Sequence, residues 1–310
     1  MALTLLEQSK LHQGTEVEQA VIEIFARSTP ILGILPFRNI SGNAFRYSRE
    51  KTLPGVAFRG INEGYTPSTG VVNPLFESLA IIGGDIEVDN FILQTESNDV
   101  RAVHEAMKIK AIAEDWQSSF FSGDSESDPR EIDGLQKRIV GTQIVTDSAN
   151  SSGGDAPSLE YLDELIDKVM NPTDLLMNKS LARRLSAAAR NTSVGGYVTY
   201  EKDEFGKRIM MYNDLPIRVI EDSEGEDTVL PFTEANPGGG TAASSSIYCV
   251  SMGPGMLEGI QNGGMDVRDL GETEDKPVVK TRIEWYAGLT IQHGRAAARY
   301  RGIKDAAWTV

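Results

Sequence analysis

The chain has few of the side chains that do covalent or metal chemistry. Cys249 is its single cysteine, and His12, His104 and His293 are its three histidines. One thiol excludes an intramolecular disulfide framework and a Cys-rich zinc module. Three scattered histidines leave little material for a multi-histidine metal site. Basic residues are also short: 30 Lys and Arg face 45 Asp and Glu, a formal net charge of −15. That balance argues against a general nucleic-acid binder, because phosphates would be repelled. Long apolar runs are missing too. The longest uncharged stretch, Ala235 to Leu257, is filled with Gly, Ser and Pro, so no membrane span is expected. The opening Met1 to Glu7 has no basic segment, and Glu7 interrupts its apolar residues, so no targeting segment is expected either. A reducing cytoplasm is the expected place of synthesis. Glycine, in contrast, is plentiful at 30 of 310 residues, which predicts many turns. With 40% hydrophobic and 24% charged residues the chain is an ordinary globular one, about two domains long.

Along the chain, Thr15 and Glu18 have capping-box spacing, and Val17, Val21, Ile22 and Phe25 follow at near-helical period, with Pro30 expected to end that helix. Residues 34–80 hold short β-like pieces, Asn43 to Ser48 and Val56 to Ile61, among turn signals. Arg38, Arg46, Arg49, Lys51 and Arg59 here face only Glu50, Glu63 and Glu77. A basic stretch in an acidic chain points to contact with an acidic surface of a neighbouring copy. The bland alternative is a solvated hairpin. The segment is too long for a connection inside a compact domain.

Residues 81–96 alternate apolar and acidic, as a half-buried strand does. Ser97 or Asn98 is placed to cap a helix running to about Phe121. This helix carries two apolar stripes. Val100, Val103, Met107 and Ala111 form one. Ala102, Ala106, Ile109, Ala113, Trp116 and Phe120 form the other. A surface helix covered from one side would have one stripe, so this one is expected to be covered from two directions. Trp116 and Phe120 are assigned to the chain's own core, Val103 and Met107 to contact with another subunit. Arg138 to Val145 is a strand candidate. Ser158 opens a helix through Met170, Asp174 to Met177 is a short buried strand, and Asn178 caps a second helix that Gly195-Gly196 closes. Strands are expected at Arg218 to Ile220, Ile247 to Met252 and Arg282 to Gln292.

The chemical inventory is empty. Gly253-Pro254-Gly255-Met256-Leu257-Glu258-Gly259 has the wrong spacing for a dinucleotide loop and reads as a strand-to-helix turn. His104-Glu105 is followed four residues on by Lys108, so a zincin's second ligand is missing. Cys249 lies in an apolar strand as a small core residue. No catalytic, cofactor-binding or metal site is assigned, and no enzyme activity is expected.

The order of elements is more telling. Arm, basic β excursion, strand, long helix, helix–strand–helix unit and long final strand together resemble a tailed-bacteriophage major capsid protein of the HK97-like fold. Shorter stretches are similar as well: Met1-Ala2-Leu3-Thr4-Leu5, Phe120-Phe121-Ser122-Gly123-Asp124, Glu131-Ile132-Asp133-Gly134-Leu135, Pro172 to Asn178, Asp214-Leu215-Pro216-Ile217 and Val250 to Gly253. The resemblance implies an α+β chain with an N-terminal arm (1–33), an extended E-loop (34–80), a peripheral domain (81–149) with a spine helix (97–121), an axial domain (150–275), and a return to the peripheral domain (276–310). It implies a shell subunit in hexamers and pentamers of an icosahedral head that encloses double-stranded DNA. Such a subunit is located in the virion, is assembled in the host cytoplasm, and has scaffold, portal and decoration proteins as possible partners. The inter-subunit contact candidates are Arg46, Arg49, Lys51, Arg59, Val103 and Met107. Lys51, the lone lysine of the E-loop, has no partner motif for a covalent cross-link. Two other readings compete: an encapsulin-like compartment shell, and a cytosolic enzyme with an unrecognised site.

Overall fold

A computed structural model describes residues 29–95, 100–147, 152–190, 196–202, 208–222 and 225–309, with the side chain of Lys51 outside the description. The helix expected over 15–25 and the caps expected at Ser97 or Asn98 lie outside the described residues.

Pro30 begins a helix, after an extended Thr29. Helix α1 (Pro30–Ile34) carries it in the first turn. A proline there forfeits only an N–H that would be unpaired anyway, and its φ is already helical. Ile31, Leu32 and Leu35 are fully buried, and β1 (Phe37–Asn39) follows.

Two sheets organise the rest. The first is built on β13 (Val278–Ile291), whose apolar residues Ile283, Trp285, Ala287, Leu289 and Ile291 are buried at period two, as the alternation predicts. The strand begins four residues before the expected Arg282. One edge of it pairs with β4 (Ala80–Asp89), from Ala287 opposite Ala80 to Val278 opposite Asp89. The other edge takes β12 (Asp266–Glu272) and then β11 (Leu257–Gln261), and β1 lies parallel to β11. The acidic residues of β4 meet basic ones across the ladder. Arg282 donates to both carboxylate oxygens of Asp85 at 2.7 and 2.9 Å, and Lys280 lies 2.7 Å from the same carboxylate.

Helix α2 (Asn90–Thr95) ends the β4 excursion, and α3 (Val100–Ser122) lies on this sheet. Trp116, Phe37 and Trp285 form a ring trio with centroids 5.4–5.8 Å apart, and Phe120 joins Trp116 at 5.4 Å. After α3 the chain folds back on itself. The Gly134 N–H donates to the Gly123 carbonyl at 2.8 Å, and a Cβ on Gly134 would lie 2.7 Å from the Phe121 backbone. The two glycine-centred segments quoted above are thus in contact.

The second sheet runs in the order β5 (Ile144–Thr146), β14 (Ala297–Ile303), β10 (Ser245–Val250), β6 (Asp174–Asn178), β9 (Leu215–Ile220), β8 (Arg208–Tyr212), β7 (Val198–Lys202). Helices α5 (Leu159–Lys168) and α6 (Lys179–Ala188) cover one face through Leu162, Leu165, Leu181 and Leu185. The other face turns Leu176, Ile220, Tyr248 and Val250 toward the first sheet's core. Strand β6 is buried along its whole length because both faces are covered. Asn178 caps α6, its Oδ1 accepting from the Leu181 N–H at 2.9 Å. Ser158 stands at the start of α5 but its side chain caps nothing.

Four further expectations are corrected. Val56 to Ile61 is not a strand. Of Arg138 to Val145 only the last two residues are strand, because α4 (Leu135–Arg138) and a helical turn over Gly141–Gln143 precede them. The glycine run after β10 leads into β11, not into a helix. A boundary at 275 does not follow the sheets: β11 and β12 pair with β13, whereas β14 leaves them for β10.

Candidate subunit interface

The basic segment is an antiparallel hairpin, β2 (Ala44–Thr52) with β3 (Val71–Ser78). Its two faces differ because side chains alternate. Phe45, Tyr47 and Arg49 turn toward the body, and Arg46, Ser48 and Glu50 turn away. On β3, Leu75 and Glu77 are half-buried while Phe76 is exposed.

The alternation separates the expected contact residues. Arg46 is exposed, its guanidinium 5.4 Å from the exposed Phe76 ring. Arg49 donates to the carbonyls of Ile291 and Gln292 of its own chain. Arg59, near the tip, donates to the Glu63 carbonyl at 3.1 Å and lies 5.3 Å from the Tyr65 ring centre. Lys51 is in β2, and its side chain lies outside the described residues.

The tip, residues 53–70, is wholly exposed and yet rich in apolar side chains. Val56 and Ile61 are 95% exposed, and Leu53, Phe58 and Tyr65 also face solvent. Its shape is held by its own bonds: Gly60 N–H to Glu63 at 2.8 Å and the Ser68 hydroxyl to the Gly55 carbonyl at 2.9 Å. A contiguous apolar patch rimmed by charge marks an interaction surface. Sequence composition flags the arginines here. The apolar tip was the missed signal, visible as Leu53, Val56, Phe58 and Ile61 inside a turn-rich segment.

On α3 the two stripes part company. Ile109, Ala113, Trp116 and Phe120 are buried, whereas Val103 and Met107 are 56% and 60% exposed. Among the described residues the helix is therefore covered from one side. Phe91 and Ile92 on α2 and Ile81 on β4 are exposed as well.

Among the described residues no three His, Cys, Asp or Glu side chains come together as a metal site, and no helix is long and apolar enough to cross a membrane. Cys249 is buried, and burial pushes its thiol up to about 12.

Solved structures of the same architecture include an encapsulin and the capsid of a GTA particle. An encapsulin from Synechococcus elongatus, in the "holo-SrpI encapsulin complex", aligns with a TM-score of 0.63 and 17% identity over 100% of this chain and 99% of that one. The capsid of an empty GTA particle aligns at 0.66 and 13% identity over 89% and 90%. The structure titled Microbacterium phage Oxtober96 aligns at 0.63 and 11% over 89% and 90%. At these identities the likeness establishes the fold, which is HK97-like. A family model described as "Major capsid protein GP7" matches residues 13–159. Over residues 13–159 the chain is thus similar to a phage major capsid protein, and its fold is one that phage-type capsid structures share. No curated protein matches the chain.

Proposed function

We propose that copies of this chain assemble into a closed icosahedral head, as hexamers and pentamers, around double-stranded DNA. The observation that carries this is the apolar tip of the β2–β3 hairpin, which is exposed among the described residues. In this reading the hairpin is the E-loop, and its tip packs on a neighbour beside Val103 and Met107. The first sheet with α3 is the peripheral domain and the second sheet is the axial domain. Arg46, Lys51 and Arg59 supply charge-assisted contacts, each an exposed pair contributing up to about 1 kcal/mol and summing over a shell. A net charge of −15 suits a wall that must not adhere to the DNA inside it. Assembly takes place in the host cytoplasm, with scaffold, portal and decoration proteins as further partners, and the head is part of the virion. The work is structural, not catalytic.

The match to an encapsulin over the full chain supports a second reading, a compartment that encloses protein. Electron microscopy and sedimentation of the purified chain test both. Closed shells are expected, with nuclease-protected DNA when isolated from phage-producing cells. Shells holding a protein cargo in place of DNA favour the second reading. A compact monomer under all conditions, scaffold included, contradicts both.

A further inference from the structure

We infer that Asn262 and Gly263 form a self-modifying site, at which the folded chain converts asparagine to aspartate and isoaspartate without an enzyme. Asn262-Gly263 is the one Asn-Gly pair in the sequence. It lies immediately after β11, in the turn that leads to β12, and both residues are exposed. Asparagine is a thermolabile residue, and it is most labile where the next amide nitrogen can reach its side chain. A glycine in that position leaves the approach open, because it has no Cβ and a wide choice of backbone angles.

The fold leaves that nitrogen free. Among the described residues no hydrogen bond holds the Gly263 N–H. Gly263 sits at φ +77° with open space where a Cβ would be. Asn262 donates its own N–H to the Tyr286 carbonyl at 3.2 Å and its Nδ2 to the Gly42 carbonyl at 3.2 Å. Both bonds are at the long end of the ordinary range, and neither involves the side-chain carbonyl. A second pair of related type is protected by contrast. Asp133-Gly134 would pass through the same ring, but the Gly134 N–H is occupied by the Gly123 carbonyl at 2.8 Å. Gly134 is buried, with the Phe121 backbone 2.7 Å from where its Cβ would be. The Asp133 carboxylate accepts from the Ser125 N–H at 2.9 Å and lies 3.0 Å from the Lys137 ammonium.

Water is the one co-reactant. The Gly263 nitrogen gives its proton to solvent base, and its electron pair attacks Cγ of Asn262. The bond from Cγ to Nδ2 breaks, and Nδ2 takes a proton from water and leaves as ammonia. The product is a five-membered succinimide. Water then adds to one of its two carbonyls. Attack at Cγ breaks the new bond and gives aspartate. Attack at the main-chain carbonyl of Asn262 breaks the old peptide bond and gives isoaspartate, with the chain running on through Cγ. No atom is oxidised or reduced. Either product adds one negative charge to a chain whose formal charge is −15. Either also puts an acceptor where Nδ2 donates to Gly42. Isoaspartate lengthens the backbone between β11 and β12 by one carbon. A folded population therefore grows more acidic and more heterogeneous with age.

The reaction belongs to a single chain and proceeds whether or not copies assemble. Its test is mass spectrometry of the full-length chain and its peptides after incubation at physiological temperature, at mildly alkaline and at mildly acidic pH. A gain of one dalton is expected on the peptide that contains Asn262. It should grow severalfold faster at the alkaline pH, because the attacking nitrogen must lose its proton. A protease that cuts before aspartate separates the products, cleaving at residue 262 in the aspartate form and not in the isoaspartate form. Isoelectric focusing should show a matching acidic band. Asn262→Gln should remove that band and keep the thermal melt of the wild type. The same chain in denaturant gives the rate without the fold, and the native rate is expected to lie within a few-fold of it. Asp133 should isomerise in denaturant and stay unchanged in the native chain. Conversion of residue 262 in denaturant but not in the native chain would overturn the inference. So would a first gain of mass elsewhere in the native chain, or an acidic band that persists in Asn262→Gln.

Discussion

A methyl group is too large at Gly134. Its Cβ would lie 2.7 Å from the carbonyl carbon and oxygen of Phe121, and the chain there is clamped by the bond to Gly123. Gly134→Ala is expected to destabilise the chain by about 1–3 kcal/mol, as overpacking does. Gly64→Ala, where nothing lies within 4 Å, is the matched control. Thermal melts of the two variants should show a clear drop in Tm for the first and none for the second. Charged residues near this turn set an acid limit. Hydrogen bonding to Lys137 holds the Asp124 carboxyl down at about 2, and Arg282 and Lys280 depress Asp85 still further. A carboxyl whose folded pKa is lowered contributes stability above its unfolded value near 4, and that contribution is lost as pH falls toward 2. Lys137→Met should therefore lower Tm at neutral pH and converge with the wild type near pH 2, as pH-stepped melts will show. The glycine segments were visible in the sequence as motifs. Their contact was not, because nothing local says that residue 134 returns to residue 123.

At the scale of elements, periodicity was a good guide wherever one side of an element is apolar. Helices α5 and α6 and the alternating strand β13 were legible for that reason. The β7–β8 hairpin was not: four of the five β7 residues are exposed, so Val198-Thr199-Tyr200-Glu201-Lys202 shows no buried face. The stretch 138–145 misled for the opposite reason. Ile139, Val140 and Ile144 have β-forming shapes, but Gly141 takes φ +67° and breaks the run. On α3 the two stripes were legible, and among the described residues one of them is covered. Trp116→Ala with Phe120→Ala should leave the chain unfolded, since truncating a buried aromatic costs about 3–5 kcal/mol. Val103→Ala with Met107→Ala should melt like the wild type by circular dichroism and impair shell formation in electron micrographs.

For the whole molecule, charge is segregated. An acidic body carries a hairpin whose outer face and tip hold Arg46 and Arg59. Reversing Arg46, Lys51 and Arg59 to glutamate is expected to abolish shells while leaving the far-UV spectrum unchanged. Arg49 has to be left out of that set, because its reversal would place a carboxylate against the carbonyls of Ile291 and Gln292. Normal shells from the triple variant would show that these charges are dispensable. The sequence showed the segregation plainly. It did not show which strands join which sheet, because the parallel partners β1 with β11 and β5 with β14 lie far apart in the chain and carry no local mark.

Strand β13 holds three strands of the first sheet, and β14 joins two of the second. Both follow the other described strands in the chain, so neither sheet is complete until residues 278–303 have been made. Up to about residue 277 a growing chain presents β4, β11 and β12 with nothing between them. The pairings that join these three strands form only once residues 278–291 emerge, and such long-range pairings are slow. Translation order therefore withholds a complete first sheet until residues 278–291 have emerged. A chain stopped at residue 276 should stay bound to chaperones or precipitate, because β4, β11 and β12 then lack the strand that joins them.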